Sequence, residues 1–146
     1  MKVRHATTKD IANVVNASVQ FAAGAYPDDD VDEVYFSTVI EVAITRDDAV
    51  VAILEGPKGD FGGVFYAALG PNPLNGSLIC AEAIVWTADR YRGHGPKLLR
   101  FVEDWARKKG CKTAILSRPY RQDRPGKVFE AWGYTPAEVW YRKALT

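Results

Sequence analysis

The sequence predicts an α/β domain on a mixed, mostly antiparallel sheet, and three observations carry that expectation. Apolar runs at residues 49–54, 61–69 and 78–86 are separated by turn clusters and read as consecutive antiparallel strands. A strand, a glycine-rich turn, an amphipathic helix and a second strand then follow over residues 78–116, the pattern of a β-α-β crossover. The composition of the 146 residues, 47% hydrophobic, 25% charged and 12% aromatic, is that of a globular domain and excludes disorder, collagen and coiled coil. One domain over 1–146 is expected, with roughly 70% of its extended surface buried.

Each element has its own local reason. Residues 3–6 read as a first strand. Thr7, with Asp10 three residues later, is an acidic variant of the capping box, and Ile11, Val14, Val15, Val19 and Ala22 follow at helical spacing, closed by Gly24. Asp30 is expected to cap a second helix whose apolar stripe includes Val31, Val34, Tyr35, Val39 and Val42. The three strands come next, the first two joined by the turn cluster Gly56-Pro57-Lys58-Gly59-Asp60. Arg92-Gly93-His94-Gly95-Pro96 opens a helix carrying Leu98, Leu99, Val102, Trp105 and Ala106, where a first-turn proline is tolerated and Gly110 supplies the stop. A short strand at 113–116, a helix at about 124–132 stopped by Gly133, and a last strand at 138–142 complete the order.

Cys80 and Cys111 lie far apart without metal-site spacing, so neither a disulfide framework nor a metal is expected. Met1-Lys2-Val3-Arg4-His5 enters the strand pattern without an apolar leader, so no signal peptide is expected and the cytoplasm is the expected compartment. The longest uncharged stretch, 61–81, contains Gly70-Pro71-Asn72-Pro73 and Asn75-Gly76, and so reads as a hairpin rather than a membrane span. The net charge of +1 conceals an asymmetry: residues 1–89 carry −8 and residues 90–127 carry +9. A basic block suits an anionic ligand and an acidic one a cationic partner, so the two together point to two substrates, with a solvated dipolar surface as the alternative.

Chemistry concentrates at residues 84–99, where a buried strand passes through a polar turn and glycines into a helix N-terminus. Outward-pointing amides and the helix dipole make such a junction an anion site, and glycines let a phosphate approach the backbone. Arg90, Arg92 and Lys97 add formal charge. The dinucleotide pattern GxGxxG fails because position 98 is leucine, and the chain contains no Gly-Lys-Ser/Thr for a P-loop.

What fits is R-x-x-G-x-G, formed by Arg90, Gly93 and Gly95. Here the chain resembles the GNAT superfamily of acyl-CoA-dependent N-acetyltransferases. The likeness extends through 101–111 to Val128-Phe129-Glu130-Ala131-Trp132-Gly133-Tyr134, similar to the family's LYExxGF/Y helix end, and to the final Tyr141-Arg142-Lys143-Ala144-Leu145. It implies a single domain with helices on both faces of the sheet, acetyl-CoA as co-substrate and no metal. By the same resemblance the pyrophosphate would rest on Arg92, Gly93, His94, Gly95, Pro96 and Lys97, with Arg90 beside them. Pantetheine would run beside Val85 and Thr87, and a backbone N–H near Val85 would polarise the thioester carbonyl. Pro96 departs from the pattern by removing one donor.

The position of the family's general-acid tyrosine is Phe129, which has no proton to give; Gln122 matches a cofactor-contacting asparagine and Ser117 a glutamate base. Glu82, the only charge between Phe61 and Thr87, is the candidate base, with a strand-end ion pair as the alternative. Tyr120 is the candidate replacement acid ahead of Tyr134, Cys80 reads as core, and His5 as structural. The acceptor is expected to be a primary amine, a small cationic one or a protein amine. Tyr26, Asp28, Asp29, Asp30, Asp32 and Glu33 lie in the region expected to receive it, although N-capping and solubility also explain them. The leading reading is direct acetyl transfer from thioester to amine. The alternatives are an impaired acyl-CoA-binding or protein-interaction module and, third, nucleic-acid binding through the basic segment, which predicts strong salt dependence. A homodimer stays open, and no membrane partner is expected.

Overall fold

The computed structural model of the protein describes residues 1–146, which divide into two compact units, Met1–Ile115 and Leu116–Thr146. The first contains strands β1 (Lys2–His5), β2 (Ala49–Glu55), β3 (Phe61–Pro71), β4 (Leu78–Thr87) and β5 (Thr113–Ile115), and helices α1 (Ile11–Ala25), α2 (Glu33–Thr45) and α3 (Gly95–Lys108). The second contains helix α4 (Asp123–Ala131). Fold class is as expected: the sheet order is β1-β2-β3-β4-β5, antiparallel throughout except for the parallel β4–β5 pair that α3 connects.

Strand side chains alternate between faces, and β2 shows how that divides the core. Val51 and Ile53 join Val64 and Ile84 beneath Val14 and Ala17 of α1 and Ile40 and Ala43 of α2. Val50, Ala52 and Leu54 therefore point the other way, toward the face that α3 covers with Leu98, Leu99, Val102 and Ala106. Ile53, Leu54, Ile40 and Leu98 are fully buried. No helix is long and apolar enough to cross a membrane.

The acidic capping box expected at Thr7 and Asp10 forms, on a 3-10 first turn that runs directly into α1. Thr7 precedes a 3-10 turn (Thr8–Asp10), and its amide donates to Asp10 Oδ2 at 2.7 Å. Asp10 is buried, and Arg4 donates to its two oxygens at 2.8 and 2.9 Å while reaching Glu55 at 2.9 Å. Burial alone would raise the Asp10 carboxyl, but Arg4 and the Thr7 amide together hold it below the ordinary carboxylate value. Gly24 lies inside α1, which runs on to Ala25.

Two expectations for α2 are corrected. Its cap is Asp32, whose carboxylate accepts the Tyr35 amide at 2.9 Å, rather than Asp30. Its buried face runs through Ile40 and Ala43, with Phe36 and Ile44 packed beside them, whereas Val34, Tyr35 and Val42 are exposed. The apolar residues outnumber those the sheet can cover, so hydrophobicity alone did not identify the inward stripe.

Helices α3 and α4 end in the same way. Gly110 and Gly133 have φ of +83° and +93°, and the next residues, Cys111 and Tyr134, donate back to Ala106 and Phe129 at 3.0 and 3.1 Å. This is the Schellman arrangement that favours glycine. In the second unit Arg118 Nη1 donates to the carbonyls of Pro119, Tyr120 and Gln122, gathering the loop before α4. The strand expected at 138–142 does not form: these residues are exposed and have no sheet partner. Val139, Trp140 and Tyr141 face water there.

Candidate functional site

Strand β4 outruns its parallel neighbour. Pairing with β5 covers only Ile79, Cys80 and Ala81, so the edge of β4 from Glu82 to Thr87 faces no strand on that side. A bulge lies at the same place: Tyr66 pairs with Ile84 and Ala67 with Glu82, leaving Ala83 unmatched. A bulge bends its strand and strengthens the local twist. Glu82 is half-buried directly before it. Val85 and Thr87 follow on the same free edge.

Beyond Thr87 the chain makes a 3-10 turn (Asp89–Tyr91), reverses at Gly93 and enters α3 behind His94. Gly93 sits at φ +91°, a conformation that a side chain would strain. Three loop amides are already used: Arg92 donates to Asp89, His94 to Tyr91 and Lys97 to His94. Pro96 has no N–H, which leaves the amides of Gly93 and Gly95 as the loop's unclaimed donors. Lys97 is exposed beside them, and Arg92 pairs with Asp89 at 2.9 Å.

The start of this loop is tied to the β2–β3 turn by contacts the sequence did not disclose. Tyr91 donates its phenol to Asp60 Oδ2 at 2.6 Å, and Arg90 reaches the same oxygen at 3.0 Å and the Phe61 carbonyl at 3.1 Å. The Arg90 guanidinium also lies 4.9 Å from the centre of the Tyr91 ring. The Tyr91 phenol and the Arg90 cation hold the Asp60 carboxyl below its ordinary value. The ring closes over Gly62, where an added Cβ would lie 2.8 Å from Tyr91 Cδ2. Arg90 thus has a structural partner, 30 residues away in sequence.

Next to this latch, on the α1 side of β4, is a cleft of about 500 Å³ lined by Asn13, Asn16, Gln20, Phe61, Trp86 and the Ala88–Arg90 segment. The Phe61 and Trp86 rings stack with centroids 6.1 Å apart and planes 16° apart. The acidic residues 28–33 do not line it; Asp28, Asp29 and Asp30 are exposed between the helices.

No family model and no curated protein matches the chain in sequence. Solved structures do match it. A point mutant of a Bacillus halodurans protein superposes with a TM-score of 0.85 at 14% identity, covering 100% of both chains. A predicted acetyltransferase of Clostridium acetobutylicum, solved with acetyl-CoA, gives 0.79 at 17% identity over 99% of this chain and 96% of its own. The glucosamine-6-phosphate N-acetyltransferase of Arabidopsis thaliana gives 0.73 at 19% identity over 99% and 98%. The chain has the GNAT fold.

Within that fold the expected residues fall into two groups. Glu82, Val85, Thr87 and the loop from Arg90 to Lys97 follow one another along β4 and into α3. Tyr120, Gln122, Phe129 and Ser117 belong to the second unit, where Tyr120 is exposed and the Phe129 ring lies 6.2 Å from that of Trp132. Cys80 is buried, and burial pushes its thiol up to about 11, which keeps it protonated and unreactive. The His5 ring packs edge-on against Phe101 at 5.0 Å. Asp60, Tyr91 and the row Asn13, Asn16, Gln20 were missed; only the glycine turn at 93–95 had a spacing that reveals itself along the chain.

Proposed function

We propose that the protein is an acetyl-CoA-dependent N-acetyltransferase of the cytoplasm that moves the acetyl group directly to a primary amine. The observation carrying this reading is the free edge of β4, bulged at Ala83, leading into a glycine turn with two unclaimed amides. A diphosphate fits there, since Gly93 and Gly95 present N–H groups at a helix N-terminus and Arg92 and Lys97 add positive charge. Acetyl-CoA, when bound, supplies an activated acyl group on a thiolate leaving group.

The chain's own residues orient that group and handle protons. The backbone of β4 at Val85 and Thr87 offers hydrogen bonds to an extended arm, and an N–H near Val85 polarises the carbonyl it faces. Glu82 accepts the proton that an ammonium must lose before its nitrogen can attack. Attack forms the C–N bond, the C–S bond breaks, the nitrogen gives its second proton to solvent, and the sulfur takes a proton from solvent. Phe129, which lacks a hydroxyl, favours one second reading, an acyl-CoA-binding module without transfer.

Thermal unfolding tests the reading. At about 100 times Kd, acetyl-CoA is expected to add roughly 2.7 kcal/mol, an upward shift of several degrees, with none from a mononucleotide or a short DNA duplex. No shift at millimolar acetyl-CoA refutes it, and stabilisation by DNA alone supports nucleic-acid binding instead. If acetyl-CoA binds, Glu82→Gln separates the first two readings. A drop in kcat/KM with a changed pH profile supports catalysis, and binding without amine acetylation by the unaltered protein supports the module.

A further inference from the structure

Three side-chain carboxamides form a row on α1. Asn13, Asn16 and Gln20 are spaced by three and four residues, so they share one helix face, and the row spans about 10 Å along the axis. All three are exposed and none makes a side-chain hydrogen bond within the protein. Asparagine is a poor helix former because its amide competes for backbone groups, and Asn16, beyond the first turn of α1, makes no local hydrogen bond that would account for it there. Together they line the cleft beside the Phe61–Trp86 stack.

The chemistry of that lining is selective. Its charged members are already engaged, Arg90 with Asp60 and Asp89 with Arg92. What remains is a line of neutral groups that each donate and accept, next to aromatic surface. Hydroxyl groups also donate and accept, and the C–H face of a sugar ring is apolar. A polyamine presents only donors and would require carboxylates, which the acidic residues 28–33 do not bring to the cleft. The cleft's volume falls within the range of small-ligand sites.

We propose that this cleft is the acceptor subsite and that the acceptor is an amino sugar, its hydroxyls read by Asn13, Asn16 and Gln20 and its ring lying against Phe61 and Trp86. The proposal rests on the transferase reading. The test follows the side-chain amide signals of ¹⁵N-labelled protein, assigned by Asn13→Ala, Asn16→Ala and Gln20→Ala. Probes are glucosamine, spermidine and a short peptide with a free N-terminus, each added to protein saturated with CoA so that no turnover occurs. Glucosamine is expected to shift all three signals saturably, and the other two probes to leave them in place. In the transfer assay Asn16→Ala is expected to raise KM for glucosamine about tenfold with a much smaller change in kcat. Alanine favours the helix, so lost folding would not account for that result.

Shifts caused by spermidine or by the peptide in place of glucosamine overturn the sugar assignment, as does silence with all three. Shifts caused by CoA alone would make the row part of the cofactor site and also overturn it. Stabilisation by acetyl-CoA with silent carboxamides removes the sugar assignment only. Failure of acetyl-CoA to bind removes the transferase reading itself, and the acceptor role with it.

Discussion

The two units of the molecule differ in what sustains them. Residues 1–115 contain all the buried side chains, from Ala6 to Ala106, distributed over both faces of a five-stranded sheet. Residues 116–146 contain none; α4 is held by its own ladder, its glycine stop and the carbonyls gathered around Arg118. A helix of nine residues is marginal on propensity alone. Cooperative stability therefore resides in the first unit, and a residue's contribution follows the unit it occupies more closely than its hydrophobicity.

The sharpest way to break that contrast is to truncate one apolar side chain in each unit. Ile53→Ala, at a fully buried position between two sheet neighbours, is expected to cost about 2–5 kcal/mol in urea unfolding. Val128→Ala on α4, at a partly exposed position, is expected to cost less than about 1 kcal/mol. Equal losses would show that the second unit shares the core's cooperativity.

A smaller effect tests the polar part of the first unit. Arg4→Met strands the buried Asp10 carboxylate and is expected to cost about 1–3 kcal/mol at neutral pH. The Asp10 carboxyl is depressed in the folded protein, so its contribution is present above the ordinary carboxylate value of about 4 and is lost as pH falls through the folded value. The gap between the unaltered protein and Arg4→Met should accordingly narrow below pH of about 4, as acid unfolding curves would show. A gap independent of pH would mean that Arg4 acts through packing.

The smallest expected effect concerns the latch. Tyr91→Phe removes the phenol donated to Asp60 while keeping the ring over Gly62. Acetyl-CoA affinity measured by titration calorimetry should weaken about threefold, with little change in unfolding temperature. An unchanged affinity would show that the glycine turn is fixed without it.

The same contrast explains what could be read along the chain. The strands of the first unit, the crossover and the turn at Gly93 were legible because each rests on local necessity: alternation, a helix N-terminus, a positive φ. The stripe of α2 was not, since Val34, Tyr35 and Val42 are as apolar as their buried neighbours and only the sheet decides which face turns inward. Asp60 could not be linked to Arg90 across 30 residues, because no sequence period connects a turn with a distant loop. The carboxamides of α1 looked like any solvated helix face until Phe61 and Trp86 were placed beside them. In the second unit the strand expected at 138–142 does not form, and the apolar run Val139-Trp140-Tyr141 that suggested it stays exposed.

The six residues by which β4 outlasts β5 have a kinetic signature. Amides along a strand point alternately to its two sides, so beyond the bulge, from Ile84 to Thr87, every second one turns to β3 and the others turn away from any ladder. Hydrogen–deuterium exchange along this segment should alternate residue by residue, slow and then fast, where a paired strand would be uniformly slow. A ligand that lies along the edge would extinguish the alternation one amide at a time and so report its own length and register on the strand.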